Sequence, residues 1–195
     1  FLLCFLLQFA QKTGNAEIDK LLQKASLSGK AQDADQYLED ALALAKINGS
    51  PNLVNQTTIE VAKLYLKIGR HTAVPGLLYP LLENNQSLEP DIRGQTLVTV
   101  GMANVQLAKY DSAIVELESG LKLLDSSDIP TKIRAYAQLG TAYASVGNQP
   151  LSFKSYTAAL EYAETTKSAK MGALIDMKIG ELFLAENDLV RADEY

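Results

Sequence analysis

The chain has 195 residues, of which 47% are apolar and 21% charged, and its formal net charge is −5. This length and composition exclude wholesale disorder and are typical of a folded protein with a substantial core. The mild acidic balance predicts no nucleic-acid partner for this segment, because it offers no strongly basic surface to phosphates. With one Cys and one His, the chain cannot hold a Cys/His zinc site, a disulfide framework or a histidine-based triad of its own.

The first element is an apolar segment at the start of the sequence. Residues 1–7 are all apolar, and Gln8, Phe9 and Ala10 follow them. This pattern predicts the remnant of a secretory signal peptide over residues 1–10, with cleavage after Ala10. The alternative is a hydrophobic helix that caps the following domain, since the segment is too short for the about 20 residues that span a bilayer. Both ends of the sequence are expected to be cut from a longer reading frame.

Five copies of one pattern occupy the rest of the chain. A mostly small slot recurs with a period of 39 or 40 residues, at Leu22, Ala62, Gly101, Gly140 and Gly180. A turn slot follows seven residues later, at Gly29, Gly69, Ala108, Gly147 and Asn187. Gly or Asn there permits the left-handed backbone of a tight turn, so each copy predicts two helices. The predicted units are 15–50, 51–89, 90–129, 130–167 and a truncated 168–195, within an array over residues 11–195.

The order of these slots resembles the tetratricopeptide repeat (TPR), and the fourth copy shows it best, with Leu139, Gly140 and Tyr143 in the family's order. The resemblance implies an all-α, right-handed α-solenoid of antiparallel helix pairs, a TPR superhelix of four complete pairs plus a truncated fifth. The family's usual period is about 34 residues, so this would be a long-period variety. HEAT repeats, which also run to about 40 residues, are the less favoured alternative.

The second helix of unit two departs from the pattern because it contains Pro75, Gly76 and Pro80. A proline inside a helix removes a hydrogen bond and bends the helix. The sequence therefore predicts either a helix that begins at Pro75 and kinks at Pro80, or a displaced helix.

A concave groove lined by the first helix of each unit is the partner site that the resemblance implies. Val98, Met102 and Val105 are expected as apolar anchors, with further core packing against the first helix of the neighbouring unit as the alternative. Basic residues around them would favour a partner with acidic character. Chaperone-binding members carry a carboxylate clamp at the positions of Ile59 and Lys63 and then of Val98 and Met102. These residues do not reproduce the clamp pattern, so that clamp is not expected. The predicted partner-binding residues are Lys63, Lys67, Val98, Met102, Val105, Arg134 and Thr141.

No catalytic, cofactor-binding or metal-binding residue is predicted, and no cofactor is expected. His71 is expected to be a solvated turn residue, and Glu116 and Glu118 are expected on a solvated helix face. These observations predict a non-enzymatic domain that binds a protein or peptide.

An exported, periplasmic or extracytoplasmic location follows from the signal remnant, with membrane contact only through regions outside this segment. The expected role is the sensor or scaffold part of a longer signalling protein, similar to the exported TPR sensors of membrane-anchored bacterial regulators. One alternative is a cytoplasmic TPR regulator or assembly scaffold that binds peptides. The other is an enzyme whose catalytic domain lies beyond Tyr195.

Overall fold

The computed structural model describes residues 13–29, 31–84, 88–185 and 187–195. Those residues form ten helices and no strand, which confirms the predicted all-α class for this part of the chain. The predicted signal remnant at residues 1–10 lies outside the described residues. None of the helices in the described ranges is long and apolar enough to cross a membrane.

Two compact units make up the chain, Phe1–Gln86 and Ser87–Tyr195. The first unit contains α1 (Ala16–Leu27), α2 (Ala31–Asn48), α3 (Pro51–Lys67) and α4 (Ala73–Asn84). The second contains α5 (Pro90–Gln106), α6 (Tyr110–Leu123), α7 (Ile129–Ser145), α8 (Gln149–Thr165), α9 (Ala169–Ala185) and α10 (Leu189–Ala192). In both units, each helix packs against the next one along the chain.

Prolines and polar caps start several of the helices. A proline occupies the first turn of α3, α5, α7 and α8, where its missing N–H costs no hydrogen bond. The carboxylate of Asp128 caps α7 by accepting from the Thr131 N–H, and the Asn148 side chain caps α8 in the same way at Leu151. These caps satisfy N–H groups that have no partner within the helix.

A left-handed residue closes four of the predicted turns. Gly69, Ala108, Gly147 and Asn187 have φ of 80°, 56°, 77° and 59°. After each, the next N–H donates to the carbonyl five residues earlier, at 2.8 to 2.9 Å. Both features define the Schellman closure of a helix end. The prediction for Gly29 is wrong, because that glycine is not left-handed and α1 already ends at Leu27.

Glycines bring the backbones of α5 and α6 together. A Cβ atom on Gly94 would lie 2.9 Å from the Leu124 nitrogen, and one on Gly101 would lie 2.8 Å from Leu117 Cγ. Because residue numbers rise along α5 while their partners' numbers fall along α6, these two helices run in opposite directions. Close approach of this kind is possible only where one helix carries no side chain.

The proline-containing helix α4 begins at Ala73, two residues before the start at Pro75 that the first alternative predicted. Pro75 lies in its first turn, and Pro80 lies inside it. The helix continues past Pro80 to Asn84. Val74 and Leu78 are fully buried on the same face and anchor α4 in the first unit.

Candidate functional site

A cavity of about 320 Å³ lies among α5, α7 and α9 of the second unit. A second cavity of about 390 Å³ adjoins it, because Arg134 and Met171 line both. We call the two together the groove. The lining of the first cavity includes Met102, Arg134, Ala137, Gln138, Thr141, Tyr156, Met171, Leu174, Met177 and Lys178.

Methionines dominate the apolar part of the groove. The chain has three methionines, and Met102, Met171 and Met177 all line the first cavity. Met177 is 48% exposed and Leu174 is 49% exposed, so their apolar surface faces solvent. Unbranched thioether side chains adapt to differently shaped apolar groups, and they are common at surfaces that bind several partners.

Two cationic side chains lie beside this apolar surface. The Arg134 Nε donates to the Pro130 carbonyl at 3.2 Å, and no carboxylate within the described part of the chain forms an ion pair with Arg134. Lys178 pairs with Glu181 at 2.6 Å, but both side chains are about half exposed. The groove therefore combines an apolar surface with positive charge, in a chain that is acidic overall.

A tyrosine from α8 forms part of the groove wall. The Tyr156 ring passes beside Gly140, where a Cβ atom would lie 2.6 Å from Tyr156 Cδ1. Its hydroxyl lies 3.0 Å from Thr141 Oγ1. Because Thr141 Oγ1 donates to the Ala137 carbonyl at 3.1 Å, the tyrosine hydroxyl donates to the threonine. Burial raises the pKa of Tyr156, so this part of the wall is polar and neutral at physiological pH.

The structure distributes the predicted partner-binding residues over different environments. Met102, Arg134 and Thr141 come together in the groove. Val98 is fully buried and Val105 is 5% exposed, both in the core around α5. These two valines therefore cannot anchor a partner, and the alternative of core packing applies. The physical reason is that α6 covers this side of α5, where a Cβ atom on Gly120 would lie 2.8 Å from Val98 Cγ2.

Each predicted lysine of the first unit has a polar partner within that unit. Lys63 forms an ion pair with Glu60 at 2.8 Å. The Lys67 Nζ donates to Ser26 Oγ at 2.8 Å. Their role in partner binding stays a prediction.

The groove residues of α9 are absent from the predicted partner-binding residues, although the period contained them. Shifting Arg134, Ala137 and Gln138 by 40 residues gives Leu174, Met177 and Lys178. Tyr156 was missed because it belongs to a second helix and reaches the groove only past the bare backbone of Gly140.

The structure corrects two polar predictions. His71 lies in a turn, as predicted, but it is half-buried there, and its Nδ1 has no hydrogen-bond partner among the described residues. Glu116 is 9% exposed and accepts a hydrogen bond from Asn104 Nδ2 at 2.7 Å. Glu118 accepts from the Tyr143 hydroxyl. The helix α6 packs against both α5 and α7, so these carboxylates face neighbouring helices instead of open solvent.

Within the described ranges, no group of three or more His, Cys, Asp or Glu side chains is placed to hold a metal ion. No protein-family model matches the chain, and no curated protein sequence is similar to it.

Proposed function

We propose that the chain is a non-enzymatic protein- or peptide-binding domain, built of TPR-like antiparallel helix pairs that stack into a right-handed superhelix. The groove on α5, α7 and α9 carries the proposal, because these are the first helices of three consecutive predicted units. Such helices line the binding face in the family that the sequence resembles. The apolar surface of the groove suits an apolar side chain of a bound segment, and its positive charge suits an acidic one.

A contact between residues twelve positions apart supports the repeat. A Cβ atom on Gly101 would lie 3.3 Å from the Ala113 carbonyl oxygen, and one on Gly180 would lie 3.6 Å from that of Ala192. Between them, Ser152 Oγ donates to the Gly140 carbonyl at 2.8 Å. Three successive pairs therefore meet at the same slots, as expected if each pair is one copy of a common unit.

The proposed ligand is an extended segment that carries an apolar side chain and at least one acidic residue. The apolar side chain would pack among Met102, Leu174 and Met177, where flexible side chains adjust to its shape. The acidic residue would lie near Arg134 or Lys178. Charge attraction of this kind mainly speeds association and weakens with added salt, whereas the apolar contact persists.

We further propose that the domain acts outside the cytoplasm, as the sensor or scaffold part of a longer signalling protein. The apolar run at residues 1–7 supports this proposal. A cytoplasmic peptide-binding regulator or assembly scaffold is the second candidate, and it would use the same groove. Peptide mapping of the mature protein from its host distinguishes them, because export by this route predicts a chain that begins at Gln11.

Selection of binders from a random peptide library tests the binding function directly. We expect the selected peptides to combine an apolar residue with acidic residues and to lose at least about tenfold in affinity for Leu174→Glu, which is about 1.4 kcal/mol. Val115→Glu is the matched control, because Val115 lies on α6, is 64% exposed and does not line the groove. Peptides that bind both variants equally well would show that the groove is not the site.

A further inference from the structure

Another cavity, of about 410 Å³, lies on α6, α7 and α8 and shares no lining residue with the groove. Its volume falls in the range of about 300–1,000 Å³ that is typical of small-molecule sites. Neither the predicted repeat nor the proposed peptide binding assigns any role to it. We call it the α6–α8 cavity.

Apolar groups form the floor of the α6–α8 cavity. Leu121 comes from α6, Tyr136 and Leu139 from α7, and Ala158 from α8. Leu139 is only 5% exposed, so it lies at the bottom of the cavity. A bound hydrocarbon group that covers this apolar surface removes it from water, and the binding free energy gained is roughly proportional to the area covered.

Two lysines from different helices line the same cavity. Lys122 belongs to α6 and Lys154 to α8, and both are exposed. Neither forms an ion pair with a carboxylate within the described ranges. An anionic group between α6 and α8 would therefore gain two cationic neighbours without having to displace an existing partner.

One carboxylate, Glu118, also lines the cavity, but it is held by Tyr143. The Tyr143 hydroxyl donates a hydrogen bond to Glu118 Oε1. Burial and this carboxylate together raise the pKa of Tyr143 to about 12, so the hydroxyl keeps its proton and continues to donate at neutral pH. The two lysines outnumber the single carboxylate, which leaves the cavity with a net positive charge.

We propose that the α6–α8 cavity binds a small apolar carboxylate, with its hydrocarbon part on the Leu121–Leu139 floor and its carboxylate between Lys122 and Lys154. A neutral hydrocarbon would leave the two lysine charges unused. An inorganic anion would leave the apolar floor in contact with water. A carboxylate with a hydrocarbon body matches both features at once.

Isothermal titration of the full chain with octanoate tests this proposal, with octan-1-ol as the uncharged probe. We expect saturable binding of one octanoate, and binding of octan-1-ol at least about tenfold weaker. The double substitution Lys122→Gln/Lys154→Gln should weaken octanoate binding by at least about tenfold. Glu118→Gln should strengthen it, because that change removes the one negative charge in the cavity.

Lys178→Gln in the groove is the matched control, and it should leave octanoate affinity unchanged. Both lysines of the cavity are exposed, so their replacement by Gln should not disturb folding, which thermal melting checks. The proposal is wrong if octanoate does not saturate the chain or if the double variant binds it as well as the unmodified chain. It is equally wrong if Lys178→Gln is the variant that loses binding. Loss of octanoate binding by the Lys178→Gln variant would place octanoate in the groove, whereas the other results leave the proposed peptide binding untouched.

Discussion

The ring of Tyr156 lies directly against the backbone of Gly140, so close that a Cβ atom at position 140 would be 2.6 Å from Tyr156 Cδ1. On the same stretch of α8, Ser152 Oγ donates to the Gly140 carbonyl at 2.8 Å. This contact joins α7 to α8 and also sets the Tyr156 hydroxyl 3.0 Å from Thr141 in the groove. A packing contact in the core thus determines the position of a polar group in the candidate site.

We predict that Gly140→Ala lowers the free energy of unfolding by about 1–3 kcal/mol, the usual cost of forcing extra atoms into a packed contact. The matched control is Gly172→Ala on α9, where the new Cβ atom would lie 3.8 Å from Leu160 Cδ1, an ordinary distance. Alanine there should instead add about 0.5–1 kcal/mol through its better helix propensity. Urea denaturation of both variants gives the two values. Equal midpoints for the two variants would contradict the close contact.

The turn residues lead to a pair of opposite predictions. Gly147 has φ of 77°, and nothing lies within 4 Å of the position that a Cβ atom would take there, whereas Ala108 has φ of 56° in the corresponding turn. A side chain at a left-handed position lowers stability by about 1–2 kcal/mol. Alanine also restricts the unfolded chain more than glycine does, which offsets about 0.4–1 kcal/mol of that cost. We therefore expect Gly147→Ala to destabilise by about 1 kcal/mol.

By the same reasoning, Ala108→Gly should stabilise by up to about 1 kcal/mol. Thermal or urea melts of the two variants, compared at equal protein concentration, provide the measurement. A stabilised Gly147→Ala variant would mean that this turn does not adopt the left-handed conformation.

Much of the helical arrangement could be predicted from the sequence because turns and close contacts require particular residues. Left-handed turns favour Gly and Asn, so Gly69, Gly147 and Asn187 could be recognised by type, and Ala108 by the period alone. At Gly29 the period failed, because a glycine's conformational freedom permits a left-handed turn without requiring one.

The candidate site could be predicted only in part, since exposure depends on which neighbouring helices cover a face. Val98 and Met102 are both apolar and four residues apart on α5, yet α6 buries the first and leaves the second at the groove. The period could indicate Leu174 and Met177 but not Tyr156, which reaches the groove from a second helix. Likewise, the acidic type of Glu116 gave no indication of its buried contact with Asn104.

That buried contact supplies a further prediction. Asn104 is fully buried and donates from Nδ2 to the Glu116 carboxylate at 2.7 Å. Replacing it with alanine removes this donor from a nearly buried carboxylate, which typically costs about 1–3 kcal/mol. Gln106→Ala, on the exposed end of the same helix, is the control and should change stability by less than about 0.5 kcal/mol. Similar stabilities of the two variants, measured by urea denaturation, would contradict a structural role for the pair.

Alkaline pH should destabilise the fold through Tyr143. Its pKa is raised from 10.0 to about 12 in the folded chain, first by burial and then by Glu118. Below pH 10 the hydroxyl is neutral in both states, so the contribution of this group is fully present. Above pH 10 the unfolded chain releases the proton while the folded chain retains it, so stability falls until about pH 12.

Tyr143→Phe should reduce this loss without abolishing it, because burial also raises the pKa of Tyr65, Tyr136 and Tyr156. Urea denaturation at a series of pH values measures the slope for both proteins. A variant with the same slope as the unmodified chain would show that Tyr143 ionises normally when folded.

The groove can be observed directly because every methionine in the chain lines it. With carbon-13 in the methionine methyl groups, the spectrum should contain signals from Met102, Met171 and Met177 alone, and each reports on the groove. Titration with a peptide selected for binding is the measurement that tests the central proposal. We expect the three methyl signals to shift together as peptide is added. The dissociation constant obtained from these shifts should equal the one that isothermal titration of the same peptide gives. Saturable peptide binding that leaves all three signals unchanged would contradict the groove as the binding site.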